Sequence, residues 1–532
     1  MNLTAPSPPD GILSTMMPSL SPSSVGLSWT TILTILIPSY LLLVRRLRFQ
    51  RLRSYRTRFP QYFFPDGTPS TAKLSKMTLQ DAHQIVMDLS QREFPYLYAR
   101  SLFFALFKTY AIPSISSLLL ATGQLSSHKT ASKRATDTEV LMLEMITNPP
   151  WEKRGLEALA RMNWLHGRWQ KAGKIRDGDM LYTLSMFALE PDRWIRRWEW
   201  RGVSEVERCA EGVVWREVGG LMGIGFEDLD RFSKNGEKGD EKGNGEEVGK
   251  EEESGLEWME KMERWNECYE DTEMRYEESN AKVAKHTVDL LLLSQPSWLR
   301  GLSKEFIGVL MGRRLREAMN FPEPPQWQEK SLTWILYFRR WLLLHLSLPR
   351  FEWMVLHKLD KDPDPVTGKY HYNMYELDPW YVKPTFWSRW NPSALLRRLS
   401  GAPVPGDGGS RYQPEGYSID EVGPEKLRGQ GKEEIEEMVK DLERRRLEVL
   451  AKGGVCPAGG GTVGDKGRCP MGLACKAQTA EEVLQNVIDD WRQELEEDKQ
   501  AEEEDDGGQY QPVATLTSKE AVKHIANLLD WD

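Results

Sequence analysis

The 532-residue chain carries eight histidines and five cysteines, the side chains best suited to bind a metal or act as a nucleophile, so these come first. The histidines are His83, His128, His166, His286, His345, His357, His371 and His524. None belongs to an HExxH pair or another close ligand pair, so a zinc hydrolase lacks its ligand set. No GxSxG elbow and no Walker A loop occurs, which removes the usual serine-hydrolase and P-loop signatures. The closely spaced glycines of GGLMGIG, from Gly219, follow a helical run instead of a strand, so a dinucleotide-binding loop fails its context. Cys456, Cys469 and Cys475 lie in VCPAGGGTVGDKGRCPMGLAC, short of four zinc ligands and too widely spaced. That leaves the stretch from Pro149 to Pro191. Helical spacing over 151–171 places Leu159, Met162, His166 and Trp169 on one apolar stripe and turns the His166 imidazole inward. By periodicity alone such a histidine is a satisfied core residue more often than a ligand.

The elements that would position His166 read as helices. From about Met77 to Arg350 apolar residues recur at spacings of three and four with almost no alternation, which predicts an all-α domain. Thr78, Thr136 and Asp177 stand as helix starts, and Pro149, Pro191 and Pro296 as helix ends. Residues 233–255, rich in glycine and charge, read as a solvated insertion, with helical periodicity resuming at Leu256. Beyond residue 400 the chain becomes rich in Gly, Pro and charge, with amphipathic helices expected near 432–451 and 480–497 and an acidic run after them. The expected organisation is therefore a lumenal disordered tail at 1–24, an anchor at 25–44, and a basic juxtamembrane segment at 45–76. A catalytic domain follows at 77–400 and an acidic, partly helical tail at 401–532.

The anchor is the one segment that the average composition hides. Val25 to Val44 is twenty residues long without a charge, enough to cross a hydrocarbon core of about 30 Å. Arginines crowd its C-terminal side from Arg45 to Arg58, while the first 24 residues hold no Lys or Arg. The positive-inside rule then directs the N-terminus to the lumen and the rest to the cytosol. A cleaved secretory signal would need the opposite charge flank and a small-residue cleavage site. Elsewhere 40% hydrophobic and 28% charged residues, with 20 Trp and 20 Met, exclude a wholly disordered chain and a multi-span membrane protein. A net charge of −9 gives no electrostatic reason to expect nucleic acid. An odd number of scattered cysteines fits a reducing compartment.

The segment RMNWLHGRWQKAGKIRDGDMLYTLSMFALEPDRWIRRWEWR, from Arg161 to Arg201, with VERCAEGVVWREVGGLMGI after it, resembles the ER-bound oxygenases of mycophenolic-acid biosynthesis. That family is a fungal branch similar to the bacterial latex-clearing rubber oxygenases. The likeness runs from about Thr130 to Arg350 and takes in SKRATDTEV, SNAKVAKHTVDLLL, RRLREAMNFPEPP and LPRFEW. It implies a globin-like fold, haem b with a proximal histidine, O₂ as co-substrate, and oxidation or cleavage of a C=C bond in a lipophilic, isoprenoid-like substrate at the ER membrane. The bacterial Arg-x-x-His-x-x-x-Arg helix corresponds to Asn163, His166 and Gln170, with the histidine kept as iron ligand and both arginines replaced. The bacterial distal Arg-x-x-Lys-Thr corresponds to Arg134, Asp137 and Thr138, with an acid in place of the lysine. Arg134 and Thr138 would then offer hydrogen bonds to reacting oxygen. The Cys-Pro pairs at Cys456 and Cys469 resemble short haem-regulatory motifs, against the plainer reading of an exposed reduced loop. Neither Cys209 nor Cys268 has the Phe-Gly-rich surroundings of a thiolate haem ligand. The competing readings are a non-catalytic, membrane-associated helical scaffold and an oxidoreductase using another cofactor.

Overall fold

A computed structural model of the chain describes residues 29–123, 128–232, 253–292, 297–375 and 377–451. In chain order its helices are α1 (Trp29–Arg48), α2 (Gln50–Arg58), α3 (Thr71–Leu74), α4 (Leu79–Met87), α5 (Pro95–Thr109) and α6 (Pro113–Ala121). There follow α7 (His128–Thr147), α8 (Lys153–Lys171), α9 (Asp177–Trp198), α10 (Glu205–Leu221), α11 (Gly255–Glu273) and α12 (Glu278–Leu292). The last are α13 (Ser297–Leu310), α14 (Arg313–Met319), α15 (Gln326–His345), α16 (Phe386–Trp390), α17 (Pro392–Leu399) and α18 (Lys432–Ala451). Among the described residues there is no β-strand, only isolated bridges such as Tyr370 with Tyr417. The all-α expectation holds.

Local chemistry explains many of the boundaries. Thr78 caps α4 by accepting from the Asp81 N–H, as its position before the helical run predicts. Pro95 and Pro113 open α5 and α6, where a missing N–H costs nothing. Ser204 with Glu207, and Ser254 with Glu257, form reciprocal capping boxes at α10 and α11. The second of these restarts the helical body where the charged insertion ends.

Two expected boundaries are corrected. Thr136 does not start a helix: α7 already runs from His128, and the buried Thr136 hydroxyl donates to the Ser132 carbonyl one turn back. Pro191 does not end one either, since α9 continues to Trp198. The lost backbone bond is outweighed there because Leu189, Ile195 and Trp198 carry the buried face past the proline. Pro296, the amphipathic stretch at 480–497, most of the 233–255 insertion and the three tail cysteines lie outside the described residues.

One large apolar core joins α7, α8, α9 and α11, with α5 against α9 and α10 between α4 and α11. It does not stop at residue 400. Tyr412, Tyr417, Ile419 and Val422 enter it, and α18 packs on α8 through Ile435, Met438 and Leu442. The polar composition after residue 400 concealed these few apolar contacts.

The N-terminal span also differs from expectation. Among the described residues no single helix is long and apolar enough to cross a membrane. The bent pair α5 and α6, 88° apart, meets the length and composition criteria together. The expected span at 25–44 is described only from Trp29, and α1 ends in Arg45, Arg46 and Arg48, which dilute its apolarity. Its face is nonetheless exposed at Leu33, Leu36, Ile37 and Leu43.

Candidate active site: a cavity faced by His166 and Arg134

A cavity of about 1140 Å³ lies among α5, α6, α7, α8, α9 and α12. Helical repeat assembles its walls. On α7 the residues Thr130, Lys133, Arg134, Asp137, Thr138, Leu141, Met142 and Met145 recur every three or four positions, so one face of the helix lines the space. On α8 the lining face is Met162, Leu165, His166 and Trp169, which includes most of the stripe expected from spacing. Phe103 and Leu106 of α5 and Leu184 and Phe187 of α9 extend the apolar wall. Trp215, which stacks on Phe187 at 5.8 Å, continues it from α10.

His166 is placed in this wall with no hydrogen-bond partner on its buried Nδ1 among the described residues. Burial, and then the positive charge of Arg134, pushes its pKa down to about 4. The ring is therefore neutral at physiological pH, the form that can bind a metal. Arg134 acts on Tyr110 in the same cavity as well. The chemistry of one neutral imidazole on the wall of a large apolar cavity fits a porphyrin-held iron, which needs a single axial donor from the protein. Among the described residues no group of three His, Cys, Asp or Glu side chains could hold a bare metal ion.

The other expected residues occupy several different settings. Thr138 lines the cavity, but its hydroxyl donates to the Arg134 carbonyl at 2.9 Å. Asp137 lines it too, with both carboxylate oxygens engaged: Lys133 Nζ reaches one at 2.8 Å and the Tyr381 hydroxyl donates to the other at 2.6 Å. Burial raises the Asp137 pKa, and the Lys133 ammonium and the Tyr381 bond oppose that rise. Asn163 is buried and donates from Nδ2 to the Leu221 carbonyl, tying α8 to the end of α10. Gln170 is exposed and not part of the cavity wall. Thus Arg134, Asp137, Thr138 and His166 share the cavity, and Asn163 and Gln170 do not line it.

Sequence reasoning passed over Lys133 and Tyr381. Lys133 also donates to the Gly423 carbonyl at 2.7 Å, so it joins α7 to the chain beyond residue 400. Its i,i+4 spacing from Asp137 was a usable signal. Tyr381, buried at φ 62°, comes from far along the chain and had none. Neither described cysteine belongs to the cavity: Cys268 is exposed, and buried Cys209 donates weakly to the Leu74 carbonyl, with burial raising its pKa to about 11.

No family model matches the chain. Curated relatives do. The chain is 36% identical over 429 residues to the protein named ER-bound oxygenase mpaB' of Penicillium brevicompactum, covering 81% of this chain and 94% of the relative. It is 34% identical over 388 residues to ER-bound oxygenase mpaB of the same fungus, covering 73% of this chain and 86% of the relative. A third relative, ER-bound oxygenase mpaB of Penicillium roqueforti (strain FM164), is 36% identical over 295 residues, 56% of this chain and 91% of that protein.

Proposed function

The chain belongs to the ER-bound oxygenase family of mycophenolic-acid biosynthesis, and from that membership we propose that it is an O₂-using oxidoreductase of the ER membrane. Its helical body is read as a globin-like domain holding haem b, with His166 as the axial ligand. The observation that carries this reading is His166 on the wall of a cavity of about 1140 Å³, neutral, with its Nδ1 unpartnered among the described residues. Ligand pockets run to roughly 300–1,000 Å³, so this one has room for a flat cofactor together with part of a substrate. Haem b, when bound, supplies the redox chemistry through which O₂ reacts.

The chain's own residues do the rest. Phe103, Leu106, Met142, Met162, Leu165 and Phe187 keep water from the site and accept an apolar, isoprenoid-like chain, whose C=C bond is the one oxidised or cleaved. Arg134 places fixed positive charge on the same wall, favouring negative charge that develops on oxygen. Thr138 hydrogen-bonds the Arg134 carbonyl and stiffens the turn from which that guanidinium projects. The Lys133–Asp137–Tyr381 group holds the C-terminal wrap closed over α7. Asn163 orients α8, and thereby His166, from outside the cavity.

Residues 25–44 are read as a single-pass anchor, with the N-terminus in the lumen and the catalytic body in the cytosol. The arginines after Val44 support that direction. A lipophilic substrate concentrates in the same bilayer, so the anchor keeps the cavity near its supply.

Absorption spectroscopy of the detergent-purified full chain tests the reading. A Soret band with bound iron is expected, lost or strongly shifted in His166→Ala, together with O₂ uptake on prenylated small molecules. A colourless protein that gains no band on haem addition, or a band indifferent to His166→Ala, overturns it.

A further inference from the structure

We propose that α15 and the segment after it form a second membrane-embedded element, seated in the cytosolic leaflet beside α1. The occupant of this face is lipid. The proposal rests on the membrane association of the family, and it is independent of haem binding and of whether α1 spans the bilayer.

α15 is a 20-residue helix that sends only part of its apolar side inward: Leu343 and Leu344 pack against the small cluster of Leu89, Phe94, Tyr98, Ile195 and Trp200, and the other large apolar side chains stay outside it. Gln328 is its one fully buried residue. Trp334 is 66% exposed, and Ile335, Phe338 and Trp341 are exposed beside it. In the segment that follows, Trp353 is 81% exposed and Leu356 is 73% exposed. Large apolar side chains exposed in this number mark an interaction site. Its rings are already ordered: Trp334 stacks on Phe338 at 5.4 Å and Phe338 on Trp341 at 6.1 Å.

Contacts with α1 identify the medium that covers it. The Tyr40 hydroxyl donates to the Leu346 carbonyl at 2.8 Å, and Arg48 donates to the Ser347 and Leu348 carbonyls at 2.9 and 3.1 Å. These bonds pin the residues that end and follow α15 to α1 between Tyr40 and Arg48, beside the exposed Arg45 and Arg46. The exposed Trp334, Tyr337, Phe338 and Trp341, on a helix packed beside the arginine-flanked α1, have the composition of a membrane interface. The arginines also complement an anionic cytosolic leaflet. α15 thus lies beside the basic end of α1, and the lipid surface that those arginines complement covers its exposed face.

The test uses the full chain with Cys268, Cys456, Cys469 and Cys475 changed to Ser, labelled with an environment-sensitive fluorophore at Trp334→Cys, Trp353→Cys or Leu36→Cys. Each is reconstituted into phosphatidylcholine vesicles containing phosphatidylinositol. The labels at 334 and 353 are expected to brighten several-fold, shift to the blue and be quenched by nitroxide lipids. A response at 36 without one at 334 and 353 overturns the proposal while sparing the anchor. A response at 334 and 353 without one at 36 supports it and removes the anchor. Silence at all three overturns both. A response that follows protein concentration and not lipid assigns the face to a second copy of the chain, and also overturns the proposal.

Discussion

His166, on the cavity wall, and Glu211, bonded to the cavity-lining Trp215, are titratable groups that loss of solvent moves toward their neutral forms. For His166, with a folded pKa near 4 against about 6.5 unfolded, the unfolded chain binds the proton first as pH falls. Its contribution to stability is therefore present above the unfolded value and lost as pH falls from about 6.5 to about 4. Glu211 behaves the other way. Burial raises its pKa to about 8, while the Tyr98 hydroxyl and Trp215 indole N–H, both donating to one carboxyl oxygen, lower it. Its folded pKa exceeds the unfolded one, so its contribution is full below about 4.5 and is lost as pH rises to about 8. Glu211→Gln removes this dependence. Thermal melts from pH 5 to pH 8 should show a flattened profile and, at about pH 8, a gain of at most a few kcal/mol over the parent. An unchanged slope would mean that the carboxyl is ionised in the folded protein. Because Trp215 lines the cavity, this carboxyl also fixes the indole in the cavity wall.

Among the elements, α10 and α11 cross in close backbone contact. A Cβ on Gly212 would lie 2.0 Å from the Gly255 carbonyl oxygen, and one on Gly255 would lie 2.3 Å from that of Cys209. The helices meet backbone to backbone, and Ser254 with Glu257 sets the angle at which α11 enters. Gly212→Ala should cost about 3 kcal/mol or more in denaturant unfolding, because backbone must move. Gly220→Ala, on the same helix with open space around it, should be neutral or stabilising by up to about 1 kcal/mol. Equal effects at the two sites would remove the close crossing as the cause. Element positions were legible where local chemistry acts alone, as at Thr78 and the α18 span. They were misread at Thr136 and Pro191, where tertiary burial overrides the local signal.

Across the whole molecule, Arg161 fastens the C-terminal wrap to the catalytic body. Fully buried, it donates to the Val422, Leu427 and Gln430 carbonyls at 2.9, 3.1 and 3.3 Å. Burial lowers its pKa to about 10, so it remains charged at neutral pH. The carbonyls belong to a stretch that supplies Gly423, Pro424 and Leu427 to the cavity wall. Arg161→Met should leave them unpaired, cost about 3 kcal/mol, and speed limited proteolysis around residues 413–431. Cleavage at the parent rate would show that α18 and Lys133 hold the wrap unaided.

From the sequence alone came the helical class, the basic-flanked apolar span as an expectation, the family, and His166 as the histidine to watch. All four are written in local order: residue type, periodicity and short motifs. Tertiary structure decided which expected residues share a space. Arg134 and His166 come from neighbouring helices whose approach no spacing encodes, while Gln170, four residues from His166, turns to solvent. Tyr381, the C-terminal wrap and the exposed face of α15 needed it even more. Each depends on partners hundreds of residues away, or on the absence of a core above a helix, and only packing of the full chain creates those conditions.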